Sequence, residues 1–297
     1  MHSEFKGVFP ALITPMSSDG KLNESALRQV MEFNIKAGVH GFWVAGGSGE
    51  SVFLEDEENR RIAEIASDQS QGRIKNIMHV GTPTTSRSAK LAEHAAKSGV
   101  EAICCVPPFF YRQSDDAIVE HYRTIASAAD LPFFVYNLPQ STQVEVTPAL
   151  MQKIKDKVPQ LVGLKHSAPY MGFVREFVNL ELNCMIGNSR IMLPALMVGA
   201  SGCIDGPPGM VPEIFVDIWD SFQAGNIKQA RESQEKGAQV AALVVYLKMH
   251  GYLKAFISER FGIDCGEPRP PSQGLTSTER VELLKKMKEL GVSIPAE

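Results

Sequence analysis

Lys165 and Tyr136 each close a short apolar run, Leu161-Val162-Gly163-Leu164 before the lysine and Phe133-Phe134-Val135 before the tyrosine. Four strand-like residues leading into a lone amine read as a buried strand that delivers the amine to a sheltered place. An ammonium is poorly solvated there, which favours the neutral amine, the form that attacks carbonyl carbon. A lysine at a strand end is, by itself, more often a solvated surface residue, so the reading rests on the surroundings. A phenol at the end of a neighbouring strand can pass protons to and from groups attached to the amine. The segment Gly46-Gly47-Ser48-Gly49-Glu50 supplies a third part. Free backbone N–H groups there, with the Ser48 hydroxyl, make a nest for an anion. The glycines also serve the backbone angles of a tight turn, and the two readings are compatible. A nest beside an amine suits a 2-oxo acid, its carboxylate in the nest and its ketone condensing with Lys165. The iminium so formed is itself the electron sink, so neither a metal nor an organic cofactor is expected.

Other residues at the ends of apolar runs bear on substrate choice. Arg190, in Gly187-Asn188-Ser189-Arg190, can grip a distal carboxylate with its guanidinium fork; it reads also as a solvent-facing residue at a helix start. Asp205 ends the last run and can bond a substrate hydroxyl, or serve as a cap or turn residue. His166 follows Lys165, and alternation along a strand points it away from the amine, into the layer between strands and helices. Glu50 is expected to tie down the glycine loop. The cysteines Cys104, Cys105, Cys184, Cys203 and Cys265 form no CxxC pair, and the histidines form no HxxxH pair. No zinc site is expected, and an odd set of cysteines in apolar runs fits a reduced, cytoplasmic setting.

These residues need a frame that brings run ends together. Eight apolar runs occur, over 8–14, 41–45, 77–80, 102–106, 133–136, 161–165, 184–186 and 202–204, with amphipathic helix patterns between them. Leu27, Val30, Met31 and Ile35 share one helical face; Ile118, Tyr122, Ile125 and Ala129 share another, and so do Phe215, Ile218, Trp219 and Phe222. Helix starts are marked by Asn23, by Ser114 and by Thr147 before Pro148. Strand–helix repeats whose strands are apolar on both faces predict an α/β fold of the (β/α)8 TIM-barrel type. A doubly wound open sheet would place a Gly-rich dinucleotide turn after its first strand, where this chain has Thr14-Pro15-Met16. The barrel is expected over 1–224. A C-terminal helical appendage over 225–297 carries three helix patterns, at 227–246, 252–261 and 277–290, the last two separated by a proline-rich break. With 297 residues, 44% of them hydrophobic, and a net charge of -4, the chain can bury a large core and offers nothing to nucleic acid or to an anionic membrane. No apolar stretch reaches the length of a membrane span, and the first residues lack the pattern of a secretory signal.

Several of these segments resemble the dihydrodipicolinate synthase / N-acetylneuraminate lyase superfamily. Residues 41–50 are similar to its first signature; Tyr136-Asn-Leu-Pro-Gln-Ser-Thr142 with Val162-Gly-Leu-Lys165-His166-Ser167 resembles its second; Ala11-Leu-Ile-Thr-Pro-Met16 and the helical tail agree. The resemblance implies a class I, Schiff-base-forming pyruvate aldolase, commonly a homotetramer, with a dimer as the smaller alternative. It implies Lys165 as the Schiff-base residue, Tyr136 as the proton shuttle, and Ser48 with the amide of Gly47 as the carboxylate holders. Departures are informative. The family places a threonine or serine at Gly47, a neighbouring subunit's tyrosine at the position of Phe110, and, in the synthases, a carboxylate-binding arginine at Ser141. Dihydrodipicolinate synthesis is therefore not the expected activity. Sialic acid lyases carry an Asp-Glu pair where this chain has Asn188-Ser189-Arg190, which argues against sialic acid. The expected reaction is cleavage of a 2-oxo-4-hydroxy (2-keto-3-deoxy) acid to pyruvate and an aldehyde. The alternatives are dehydration of a 2-keto-3-deoxy sugar acid by the same lysine, and a non-catalytic 2-oxo acid binder on the same barrel.

Overall fold

The structure, a computed structural model, describes residues 4–293; the ends of the expected barrel and tail spans, 1–3 and 294–297, lie outside the described residues. Eight strands alternate with helices. β1 (Gly7–Pro10), β2 (Gly41–Val44), β3 (Lys75–His79), β4 (Ala102–Cys105), β5 (Phe133–Asn137), β6 (Leu161–His166), β7 (Asn183–Ile186) and β8 (Gly202–Asp205) form one parallel sheet in the order β1-β8-β7-β6-β5-β4-β3-β2. Between them run α1 (Glu24–Lys36), α2 (Asp56–Ser70), α3 (Thr85–Lys97), α4 (Asp115–Ala129), the short α5 (Pro139–Thr142), α6 (Pro148–Lys157), α7 (Phe173–Asn179), α8 (Met192–Met197) and α9 (Pro212–Gln223). The sheet closes where β1 meets β2, through a parallel bridge from Ala11 to Trp43 and the bond from the His40 amide to the Val8 carbonyl, 2.9 Å. The result is the expected (β/α)8 barrel.

Each strand is buried on both faces, which is why it reads as an apolar run and not as an alternating one. Phe9, Trp43, Ile77, Cys104, Phe134, Met185 and Ile204 fill the barrel interior. A larger core between strands and helices takes the opposite faces, with Leu27, Val30 and Met31 from α1, Ile118, Tyr122 and Ile125 from α4, and Phe215 and Ile218 from α9. Burying one such side chain contributes about 1.5–3 kcal/mol, so the two layers hold the strand ends in register. The three expected caps form: Asn23, Ser114 and Thr147 accept from the amides of Ala26, Ala117 and Leu150. At the β1–β8 seam Gly202 has φ +154, and an added methyl would stand 2.0 Å from the Gly7 carbonyl oxygen; only glycine lets the two backbones approach this closely.

Three boundaries differ from the sequence reading by three residues or more. The first run, expected to reach Thr14, ends as a strand at Pro10, because β8 and β2 also stop at this level and offer no further ladder. The chain beyond crosses the mouth, where the Thr14 hydroxyl donates to the Gly49 carbonyl at 2.7 Å. In the tail, the helix expected over 227–246 is α10 (Ile227–Ala241), which ends in a 68° bend. The next helix, α11 (Met249–Phe261), starts three residues before the expected Tyr252. That extra turn matters, because it carries His250. α12 (Ser277–Glu289) closes the described tail, with Leu283 and Met287 buried. No single described helix is long and apolar enough to cross a membrane.

Candidate active site

Strands β5 and β6 pair with Tyr136 opposite Lys165. Both side chains point into the barrel and are 5% and 3% exposed. The Lys165 Nζ lies 4.5 Å from the centre of the Tyr136 ring and 5.4 Å from that of Trp43. An ammonium here exchanges hydration for two aromatic faces. A carbonyl carbon brought to this nitrogen meets one amine and one phenol. The neighbouring Cys104 thiol is pushed far up by burial, so it is no competing nucleophile. His166, the next residue on β6, is fully buried on the other side of the sheet. Its ring lies between the Asn137 amide, 3.3 Å, and the Tyr170 carbonyl, 3.0 Å, against Phe177, in the strand–helix layer where alternation places it.

The glycine loop lies above these two side chains. A methyl group added at Gly47 would stand 3.3 Å from the Tyr136 hydroxyl oxygen, so the loop and the phenol face one another. Among the described residues the amides of Gly47 and Ser48 donate to no backbone carbonyl, and the Ser48 side chain is buried beside Gly206. Those two amides and one hydroxyl are what a carboxylate needs. The loop is held from behind by the tail. Glu50 is buried and accepts the Arg269 amide at 2.6 Å; its other oxygen pairs with Lys254 of α11 at 2.6 Å. Burial lowers the Lys254 pKa, and Glu50 pulls it back. His250 Nε2 bonds the Gly47 carbonyl at 2.8 Å, while its Nδ1 meets the Ser272 hydroxyl at 3.0 Å. Glu50 thus ties the loop down, and its partners come from the tail.

The remaining rim residues divide by what they touch. Asp205 has both oxygens bonded to backbone amides, of Ser189 and of Gly206, each at 2.8 Å; this is the cap reading, and it shapes the rim that carries Arg190. Arg190 is exposed and makes no ion pair among the described residues. Ser141 is exposed on α5. Phe110 and Tyr111 project from the loop after β4, 85% and 73% exposed, with Phe110 at φ +80. Among the described residues no group of three or more His, Cys, Asp or Glu could hold a metal ion.

Three residues of this site escape a sequence reading. Trp43 forms part of the wall, its Nε1 beneath Gly46 and without a hydrogen-bond partner among the described residues. His79 ends β3 inside the barrel, its ring centre 6.2 Å from that of Tyr136. Burial first, and the Lys165 charge second, bring the His79 pKa down to about 4, so the ring is neutral at neutral pH. Its Nε2 has no partner among the described residues, and the side chain borders a cavity of about 150 Å³ that Ser51, Thr82 and Phe109 also line. The only sequence signal for either residue was a polar atom inside an apolar run. His250 has none, since its contact spans 203 positions.

The family model for the dihydrodipicolinate synthetase family matches residues 4–290. A 4-hydroxy-tetrahydrodipicolinate synthase from Methanopyrus kandleri is 29% identical, over 98% of each chain. An N-acetylneuraminate lyase from Rhizobium meliloti is 30% identical, over 90% of this chain and 89% of its own. The crystal structure of dihydrodipicolinate synthase from Aquifex aeolicus superposes with a TM-score of 0.92 at 26% identity, covering 98% of this chain and 100% of that one. Synthases and a lyase stand at nearly equal distance, so the relatives do not by themselves choose between the two activities.

Proposed function

The chain belongs to the dihydrodipicolinate synthetase family, and from that premise we propose that it is a class I lyase that cleaves a 2-oxo-4-hydroxy acid to pyruvate and an aldehyde. The observation that carries the reading is the pairing of Lys165 with Tyr136, the amine 4.5 Å from the phenol ring, beneath a loop with free amides. The substrate carboxylate sits on the Gly47 and Ser48 amides and the Ser48 hydroxyl. Neutral Lys165 adds to the C2 ketone, and the Tyr136 phenol gives its proton, directly or through water, to the departing hydroxyl, so that loss of water leaves an iminium and a phenolate. Tyr136 takes the proton of the C4 hydroxyl, directly or through water. The C3–C4 bond breaks, its electrons pass into the iminium, and the aldehyde leaves. The enamine takes a proton at C3, and water releases pyruvate and the free amine.

Gly47, Phe110 and Ser141 argue against dihydrodipicolinate synthesis, because the parts that the resemblance assigns to that reaction are not those residue types. Gly47 instead faces the Tyr136 hydroxyl with no hydroxyl of its own, which is compatible with dehydration of a 2-keto-3-deoxy sugar acid as a second reading. Arg190, with no ion pair among the described residues, is the candidate grip for a distal carboxylate, with Ser141 a further candidate contact and Asp205 holding the turn before Arg190. The exposed Phe110 and Tyr111 suit a contact with a second copy, in a dimer or homotetramer. Five free, buried cysteines suit a reducing compartment such as the cytoplasm.

A panel of 2-keto-3-deoxy acids, assayed for pyruvate release and for loss of water, separates the readings; pyruvate with aspartate semialdehyde belongs in the same panel. The expected outcome is pyruvate release from an acid bearing a distal carboxylate. Arg190→Ala should raise its KM about tenfold or more, the size of a lost charge-assisted bond, with pyruvate trapping unchanged. Turnover of aspartate semialdehyde alone would overturn the proposal.

A further inference from the structure

We propose that His250, from the C-terminal helical region, is a positioning residue for the substrate carboxylate. Gly47 carries no side chain to fix its ψ, so the Gly47–Ser48 peptide is free to rotate unless something holds it. His250 holds it: Nε2–H donates to the Gly47 carbonyl at 2.8 Å, and that tautomer is set by Nδ1 accepting from the Ser272 hydroxyl at 3.0 Å. The Glu50 amide adds a second, longer bond to the same oxygen, 3.2 Å. In a trans peptide the carbonyl oxygen and the following N–H point to opposite sides. Fixing the Gly47 oxygen on the α11 side therefore turns the Ser48 amide away from α11, where no backbone carbonyl takes it among the described residues. Neighbouring contacts act in the same direction. Lys254, one turn after His250, pairs with Glu50, and the Lys254 ammonium also bonds the Glu267 carbonyl at 3.0 Å. The barrel thus carries the amine and the phenol, and the tail sets the angle of the anion nest.

The inference rests on Lys165 forming a Schiff base with a 2-oxo acid, and its test separates the two claims. The intact chain is inactivated by borohydride over a range of pyruvate concentrations, giving a half-saturating concentration and a saturated rate, with labelling at Lys165 read by peptide mass spectrometry. His250→Phe keeps volume and removes the donor. It should raise the half-saturating concentration about three- to tenfold, as one lost neutral hydrogen bond would, with the saturated rate within about twofold. His250→Gln restores an N–H donor and should recover most of the loss. Ser272→Ala, which frees the far side of the ring, should give a smaller rise in the same direction and serves if His250→Phe does not fold. An unchanged half-saturation in His250→Phe, or in Ser272→Ala where it alone folds, overturns the inference while leaving the Schiff-base reading intact. So does an equal fall in rate and affinity that glutamine does not recover. No adduct at Lys165 in the unaltered chain overturns the Schiff-base reading, and this inference with it.

Discussion

At the scale of single residues the account turns on two atoms with different duties. In the proposed reaction Lys165 Nζ makes and breaks the covalent bond, and the Tyr136 hydroxyl moves protons. Tyr136→Phe should therefore keep the adduct and lose turnover. Pyruvate trapping at Lys165 should persist, while the steady-state rate on the preferred substrate falls by about 10² to 10⁴, the range for a removed general acid–base group. Full turnover by Tyr136→Phe would assign the proton transfer elsewhere, and His79 would be the first place to look. Lys165 and Tyr136 were legible in the sequence because each closes an apolar run, and a barrel brings run ends to one mouth. Arg190 and Ser141 were legible as positions but not as contacts, since an exposed side chain on a rim has no partner that spacing can name. Asp205 read both as a hydroxyl ligand and as a cap. The structure commits its two oxygens to the Ser189 and Gly206 amides, a fact that depends on a turn 16 residues away.

At the scale of elements, α11 and the segment that follows it act on the glycine loop. The pair of Lys254 with Glu50 is almost wholly buried, 1% and 0% exposed at the side chains. Two charges in such a place are tolerable together and costly apart. Lys254→Met should lower stability to unfolding by about 3–5 kcal/mol, because it strands the Glu50 carboxylate. Joining Glu50→Gln to Lys254→Met should recover most of that loss, since the glutamine oxygen still accepts the Arg269 amide. Denaturation midpoints of the two variants measure this directly, and equal losses would refute the argument. The strands and the first helices were plain in the sequence from apolar runs and caps such as Asn23 and Thr147. The tail was less so. α11 is buried on several sides, including Leu253, Lys254, Phe256 and Ile257, so it lacks a single apolar stripe, and its first turn went unread. His250 lies in that turn.

At the scale of the whole molecule, the packed barrel makes the chain sensitive to acid. His79 and His121 are buried, and burial takes each down to about 4, with the Lys165 charge adding to the effect at His79. The unfolded chain binds these protons near the ordinary value of 6.5, and the native chain refuses them until about 4. Stability is thus unaffected by the two rings above their unfolded value, falls as pH drops between the two values, and falls no further from them below the lower one. Each contributes up to about 3 kcal/mol of loss across that window. Urea midpoints followed from pH 7 to 4 should fall less steeply in His121→Gln than in the unaltered chain; identical slopes would contradict the assignment. The tail belongs to this scale as well, because a barrel without it would lack Lys254, His250 and Arg269 together. The central claim is covalent chemistry at one lysine, and one measurement reaches it most directly: borohydride reduction of the intact chain with pyruvate, followed by intact mass and peptide mapping. The account predicts a single reduced adduct per chain, on Lys165, absent from Lys165→Ala. An adduct on another lysine, or none at saturating pyruvate, would contradict it.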